Sequence, residues 1–185
     1  SNLSYDDKFA ILEVGMSKSG EIRNLTKLIR PNIGIITNIS EAHIENFKNI
    51  SGIAKAKSEI IENITTGGTI ILNRDDKFFN FLKKKAKKYK LKISTFGKHK
   101  DSEVQLQKTY KRGNKSQIVI KVKSQKMNFE ISDLNIHNVL ASIAVLQALK
   151  IDFFKILSKF KNYNLPDGRG KKYTIKRYNK KFRFI

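Results

Sequence analysis

The sequence predicts an α/β fold: a mostly parallel sheet with helices on both faces, plus a small antiparallel β appendage. Three observations predict it. Short apolar, β-branched runs at KFAILEVG (Lys8 to Gly15), IGIIT (Ile33 to Thr37), GGTIILN (Gly67 to Asn73) and LKISTFG (Leu91 to Gly97) alternate with stretches of helical period. Such β-α-β alternation implies parallel strands joined by crossovers, with helices packed on the sheet. From about Glu103 the period drops to two over EVQLQKTY, SQIVIKVK and KMNFEIS, with RGN and SQ as turns between antiparallel strands. At 185 residues and 39% apolar side chains, the chain can fill the core of one domain, or of one domain plus a fragment.

The first run, Lys8 to Gly15, reads as a buried strand closed by glycine, with Glu13 near its end. A carboxylate in an apolar strand is costly unless paired or metal-bound, so Glu13 is a candidate ligand; an edge strand with Glu13 facing water is the alternative. GMSKSGEI follows, its glycines spaced as in a phosphate loop, but Glu21 and Ile22 stand where that motif requires lysine and serine or threonine, which excludes it. A helix from about Glu21 to Leu28 places Ile22, Leu25 and Ile29 on one face and ends before Pro31.

The strand IGIIT stops at Asn38 and opens a long loop holding Glu41, His43 and Glu45. From Ser51 a helix begins, with Ile53, Ala56, Ile60 and Ile61 apolar and with Lys55 and Lys57 among them. Loops beyond the carboxyl ends of strands in open α/β sheets bind ligands, which makes His43 a candidate, although a lone loop histidine is more commonly solvated. After the third strand, a helix from about Asp75 to Tyr89 aligns Phe78, Leu82, Ala86 and Tyr89, leaving the lysines of KKKAKKYK (Lys83 to Lys90) on the solvated side. Beyond the antiparallel region, Asn135 to Leu149 reads as a buried helix and Phe153 to Phe160 as a short one. A loop at Leu165 to Gly170 and two strands, YTIKRY and KFRFI, close the chain.

The formal charge of +22 raises the question of nucleic acid, but the excess is lysine spread along the chain with no nucleic-acid motif, so no such partner is expected. The absence of cysteine excludes disulfides and thiolate metal sites. No apolar run approaches the ~18 residues of a membrane span. A cytoplasmic monomer without a membrane partner is expected.

Three blocks in order, LEVGMSKSGEI (Leu12 to Ile22), PNIGIITNISEAHIENF (Pro31 to Phe47) and IAKAKSEI (Ile53 to Ile60), resemble the ATP-binding central domain of the Mur ligases. Within that family the wording is most similar to the type that adds D-alanyl-D-alanine. NIHNVLASIAVLQAL (Asn135 to Leu149) resembles the family's asparagine-containing helix, and LPDGRGKKY (Leu165 to Tyr173) its crossing into the C-terminal domain. The resemblance implies an amide ligase using ATP and Mg²⁺, with UDP-N-acetylmuramoyl-tripeptide and D-alanyl-D-alanine as substrates of the whole enzyme. It further implies that Glu13 and His43 bind magnesium and that Lys57 matches a lysine carbamylated in several members. Lys55 is the competitor, and Lys57 is preferred on register. Asn135, Asn138 and Arg169 match nucleotide-contacting residues, although Leu134 stands where many members have histidine, and Asn135 also reads simply as a helix N-cap.

The family's GK[ST] phosphate loop lies upstream of the strand ending in Glu13, and nothing in this sequence supplies it. Residues 1–164 are therefore expected to be a central domain without its phosphate-loop segment, and 165–185 the junction and start of the C-terminal domain. Such a piece is expected to lack ligase activity alone. The alternatives are another amide ligase sharing this domain, of the folylpolyglutamate or cyanophycin synthetase type, and a non-catalytic basic binding module.

Overall fold

The computed structural model describes residues 4, 6–41, 44–113, 115–131, 135–161, 173–177 and 180–184; for Ile44, Arg112, Lys161 and the last two strands it describes the backbone alone. Six strands form one sheet in sequential order: β1 (Ile33–Ile36), β2 (Thr69–Asn73), β3 (Lys92–Gly97), β4 (Val104–Arg112), β5 (Lys115–Val122) and β6 (Gln125–Ile131). β1 to β4 run parallel, and β4 to β6 are antiparallel. The antiparallel strands are thus joined edge to edge with the parallel ones, through the pairs Phe96 with Val104 and Gly97 with Gln105. Two further strands, β7 (Tyr173–Arg177) and β8 (Lys180–Phe184), pair antiparallel with each other.

The period of two along β2 divides the interior into two cores. Ile70 and Leu72 face one side, where Ile53, Ala54 and Ile61 of α2 (Ile50–Lys57) and of the 3-10 stretch Ser58–Asn63 meet Phe79, Leu82 and Ala86 of α3 (Phe79–Lys88). Ile71 faces the other, with Phe96, Val104, Ile118, Ile120 and Ile131, under Val139, Leu140, Ile143 and Ala144 of α4 (Ile136–Ala148). Helices on both faces are what the alternating sequence pattern predicts. α4 is apolar nearly all round because it lies against strands from both halves of the sheet. The stretch Phe153–Ile156 and α5 (Leu157–Lys161) complete that layer.

The segment Lys8 to Gly15 departs from expectation: it is not a strand. It has no regular structure, its Ile11 is 92% exposed, and among the described residues no strand pairs with it. An apolar, β-branched run becomes a strand only where a neighbour accepts its backbone N–H and C=O groups. α1 (Glu21–Ile29) also buries a different stripe from the one predicted. Ile22 and Thr26 are inside, whereas Leu25 and Ile29 are substantially exposed. The Asn63 amide decides this by donating to Thr26 Oγ1 at 3.0 Å and to the Arg23 carbonyl at 3.0 Å, docking the Thr26 face onto the 3-10 stretch. On α3 the aromatic that faces inward is Phe79, with Phe78 half-buried and Tyr89 exposed. Lys85 is not a solvated lysine but bonds Glu62 Oε1 and Ser58 Oγ.

Candidate functional site

The carboxyl ends of β1, β2 and β3 form one rim, wired by side chains that reach from strand to strand. Past β1, the Asn38 carbonyl accepts from Lys57 Nζ at 2.8 Å, which brings the last residue of α2 back to the strand it follows. Lys57 is half-buried; burial holds its amine below the usual lysine range, against the opposing field of Asp76. Past β2, buried Asn73 donates its amide to the Thr37 carbonyl at 3.0 Å and accepts from the Asp75 N–H at 2.9 Å. Asp76 accepts from the Ile39 N–H at 2.7 Å and from the Phe78 N–H at 2.8 Å, tying the β1 exit to the entrance of α3.

Past β3 the chain turns at Gly97, with φ at +144°, a conformation that L side chains rarely adopt. A Cβ there would stand 2.7 Å from Asp75 Oδ2. Glycine lets the Asp75 carboxylate come under the turn and accept the Lys98 and His99 N–H groups at 2.7 and 2.9 Å. The same carboxylate lies 3.6 Å from His137 Nε2 in the first turn of α4. Arg74 donates to His99 Nδ1 and to Asp101, both at 2.9 Å. The start of α4 therefore belongs to the rim. Asn135 caps it, accepting the His137 and Asn138 N–H groups at 2.9 and 3.4 Å, so the N-cap reading holds; Asn138 is exposed one position beyond His137.

Of the residues singled out in the sequence, the rim gathers Lys57, Asn135 and Asn138. Lys55 is exposed on another side of α2. Glu13 is exposed on the irregular segment ahead of α1, and His43 and Arg169 lie outside the described residues, as does the expected Leu165 to Gly170 loop. Among the described residues no three His, Cys, Asp or Glu side chains gather in a way that could hold a metal ion. Asn73, Arg74, Asp75, Asp76, Gly97 and His99 were not anticipated. For the first four the signal is NRDD at the end of an apolar strand, since polar residues at a strand's carboxyl end in an open sheet are where ligand sites form.

A sheet whose parallel strands end in a polar rim of this kind, with an asparagine-capped helix beside it, defines a class, and comparison with known proteins identifies it. The chain belongs to the Mur ligase middle domain family, which matches residues 1–146. Its particular relatives are D-alanyl-D-alanine-adding ligases. Over 157 residues it is 32% identical to the UDP-N-acetylmuramoyl-tripeptide--D-alanyl-D-alanine ligase of Buchnera aphidicola subsp. Acyrthosiphon pisum, covering 83% of this chain and 34% of that protein. The fold matches a MurF crystal structure from Acinetobacter baumannii with a TM-score of 0.85 at 24% identity, over 98% of this chain and 39% of that one. It also matches MurF ligase from Thermotoga maritima in complex with ADP, with a TM-score of 0.72 at 20% identity, over 85% of this chain and 36% of the other. The chain spans about a third of the length of the curated relative it matches. Among the described residues no helix is long and apolar enough to cross a membrane.

Proposed function

We propose that this chain is the ATP-binding middle portion of a ligase that joins D-alanyl-D-alanine to UDP-N-acetylmuramoyl-tripeptide in the making of peptidoglycan precursor. In that reaction the tripeptide carboxylate attacks the γ-phosphorus of ATP, giving an acyl phosphate and ADP. The dipeptide amine then attacks the acyl carbon, and phosphate leaves with the bond electrons. The observation that carries the reading is the seating of Lys57 at the β1 exit, on the same rim as the start of α4, in a chain of this family.

The rim suits a nucleotide in its own right. The first turn of α4 brings the positive end of the helix dipole to the rim, which favours phosphate oxygens. Asn135 and Asn138 offer amides that both donate and accept, and Arg169 is assigned to the phosphates by its position in the motif.

A half-buried lysine whose amine is held below its usual range has a larger neutral fraction, and the neutral amine is what attacks CO₂ to form a carbamate. As an ammonium, Lys57 is unsuited to a cation; as a carbamate it presents anionic oxygens, the donor type magnesium prefers. Lys57 in that form, Glu13 and His43 would hold the ion, which supplies charge neutralisation on the phosphate oxygens when bound.

The test is the NMR spectrum of the chain with ¹³C-bicarbonate and magnesium nucleotide. A carbamate resonance is expected that disappears in Lys57→Ala and persists in Lys55→Ala. A resonance that survives Lys57→Ala, or none in the parent chain, overturns the assignment of Lys57.

A further inference from the structure

We infer that Glu59 is a positioning residue that clamps the Glu13-bearing segment onto the Lys57-bearing helix. Glu59 is 2% exposed, where an uncompensated charge would be costly, and its carboxylate is compensated almost wholly by one distant stretch of chain. Ser19 Oγ donates to Oε1 at 3.0 Å, the Gly20 N–H to both oxygens at 2.9 and 3.0 Å, and the Arg23 N–H to Oε2 at 3.1 Å. The Arg23 guanidinium stands 3.7 Å from Oε1.

These donors are Ser19 just before the N-cap, the N-cap itself and the first turn of α1, which has no side-chain cap of its own because Gly20 occupies that position at φ +93°. A helix start ordinarily takes its cap from the residue at the N-cap itself. Here the cap comes from 39 residues away, so capping α1 and joining two segments are one act. The negative charge also faces the positive end of the α1 dipole.

What the clamp joins is specific. Glu59 lies two residues past Lys57, whose Nζ is fixed on the Asn38 carbonyl. On the other side, Ser19 and Gly20 follow the irregular stretch that carries Glu13; Met16 of that stretch packs against the core on the α3 face, and Glu21 closes a local turn on the Ser17 and Lys18 N–H groups. Among the described residues that stretch has no strand ladder, and Glu59 ties its end, at Ser19 and Gly20, to the chain directly after Lys57. The functional sense of this clamp rests on the ligase reading; its geometry does not.

The chain has no cysteine, so nitroxide pairs can be placed freely. One pair, Leu12→Cys with Ser51→Cys, spans the clamp; a second, Lys84→Cys with Lys121→Cys, spans the sheet as a control. Electron–electron distances in the full 185-residue chain are expected to give a narrow distribution for the first pair that shifts and broadens in Glu59→Ala while the control stays unchanged. Glu59→Gln, which keeps the shape and one acceptor oxygen, is expected to fall between, and it is the deciding variant should Glu59→Ala lose the control distribution as well. An unchanged first-pair distribution in the folded variants overturns the clamp, because a merely stabilising cap would lower the melting temperature without moving Leu12 relative to Ser51. Magnesium-ADP affinity of the same variants is expected to drop about 10- to 100-fold, the usual cost of losing a group that orients metal-site residues. Failure of the parent chain to bind magnesium-ADP would count against the ligase reading, while the label distances would still decide the clamp.

Discussion

The two halves of the sheet are held together in different ways. From β4 to β6 the chain folds on consecutive strands, each paired with the next along nearly its whole length, and the interior side chains are Val104, Leu106, Ile118, Ile120 and Ile131. From β1 to β3 the ladders are four or five residues long, and the strand ends are joined by side chains bonding to the backbone of a neighbouring exit: Asn73 to Thr37, Asp76 to Ile39, Asp75 to Lys98 and His99. One half is stabilised by apolar burial and local pairing, the other by a polar frame that leaves strand ends irregular and open. An irregular loop can present a side chain to a ligand only if something other than a ladder holds it, and here carboxylates and an amide do so.

If that contrast is right, the largest loss of stability comes from the regular half. Ile120→Ala, at a fully buried position, is expected to cost about 2–5 kcal/mol in chemical denaturation while leaving the nucleotide affinity of the folded fraction unchanged. Asp75→Ala reverses the pattern. Removing an acceptor of two short backbone N–H bonds is expected to cost a smaller ~1.5–3 kcal/mol, with a disproportionate fall in nucleotide affinity as the β3 exit and His137 lose their common partner. Equal effects of these two substitutions on affinity would erase the distinction.

A third, smaller effect is set by pH. Arg23, which donates to both oxygens of Glu62, and Lys85, which donates to Oε1, hold this carboxyl below its usual value of 4.5. Because the folded value is the lower one, the stabilisation is fully present above pH 4.5 and is lost as pH falls through the folded value. Acid denaturation of Glu62→Gln should therefore be flatter below pH 4.5 than that of the parent chain. The smallest effect belongs to the exposed pair Lys115 and Glu130, 3.0 Å apart across β5 and β6, where Lys115→Ala is expected to change stability by under ~1 kcal/mol and to vanish in salt.

The regular half was legible in the sequence because period-two alternation reports directly which face is buried. EVQLQKTY, SQIVIKVK and KMNFEIS became β4, β5 and β6. The helical spacing around Leu82 and Ala86 was equally direct, although the choice of Phe79 over Phe78 required the tertiary setting. Lys8 to Gly15 misled because its composition is that of a strand while its neighbours offer no ladder, and composition carries no information about neighbours. The site was half legible. Motif position singled out Lys57, Asn135 and Asn138, which the structure places on the rim, but Glu59, Asp75 and Asp76 act through backbone groups between twenty and forty residues away, a relation that no local spacing encodes.

The meander from Val104 to Ile131 has a kinetic consequence. Its contacts close over a few residues at each turn, whereas β1 and β2 meet only after more than thirty residues of intervening chain have been ordered. Chains gain speed where contacting residues are close in sequence, so the hairpins around Gly113 and Lys123 should be the earliest protected amides in a refolding pulse, and the polar rim at the ends of β1 to β3 the last to assemble.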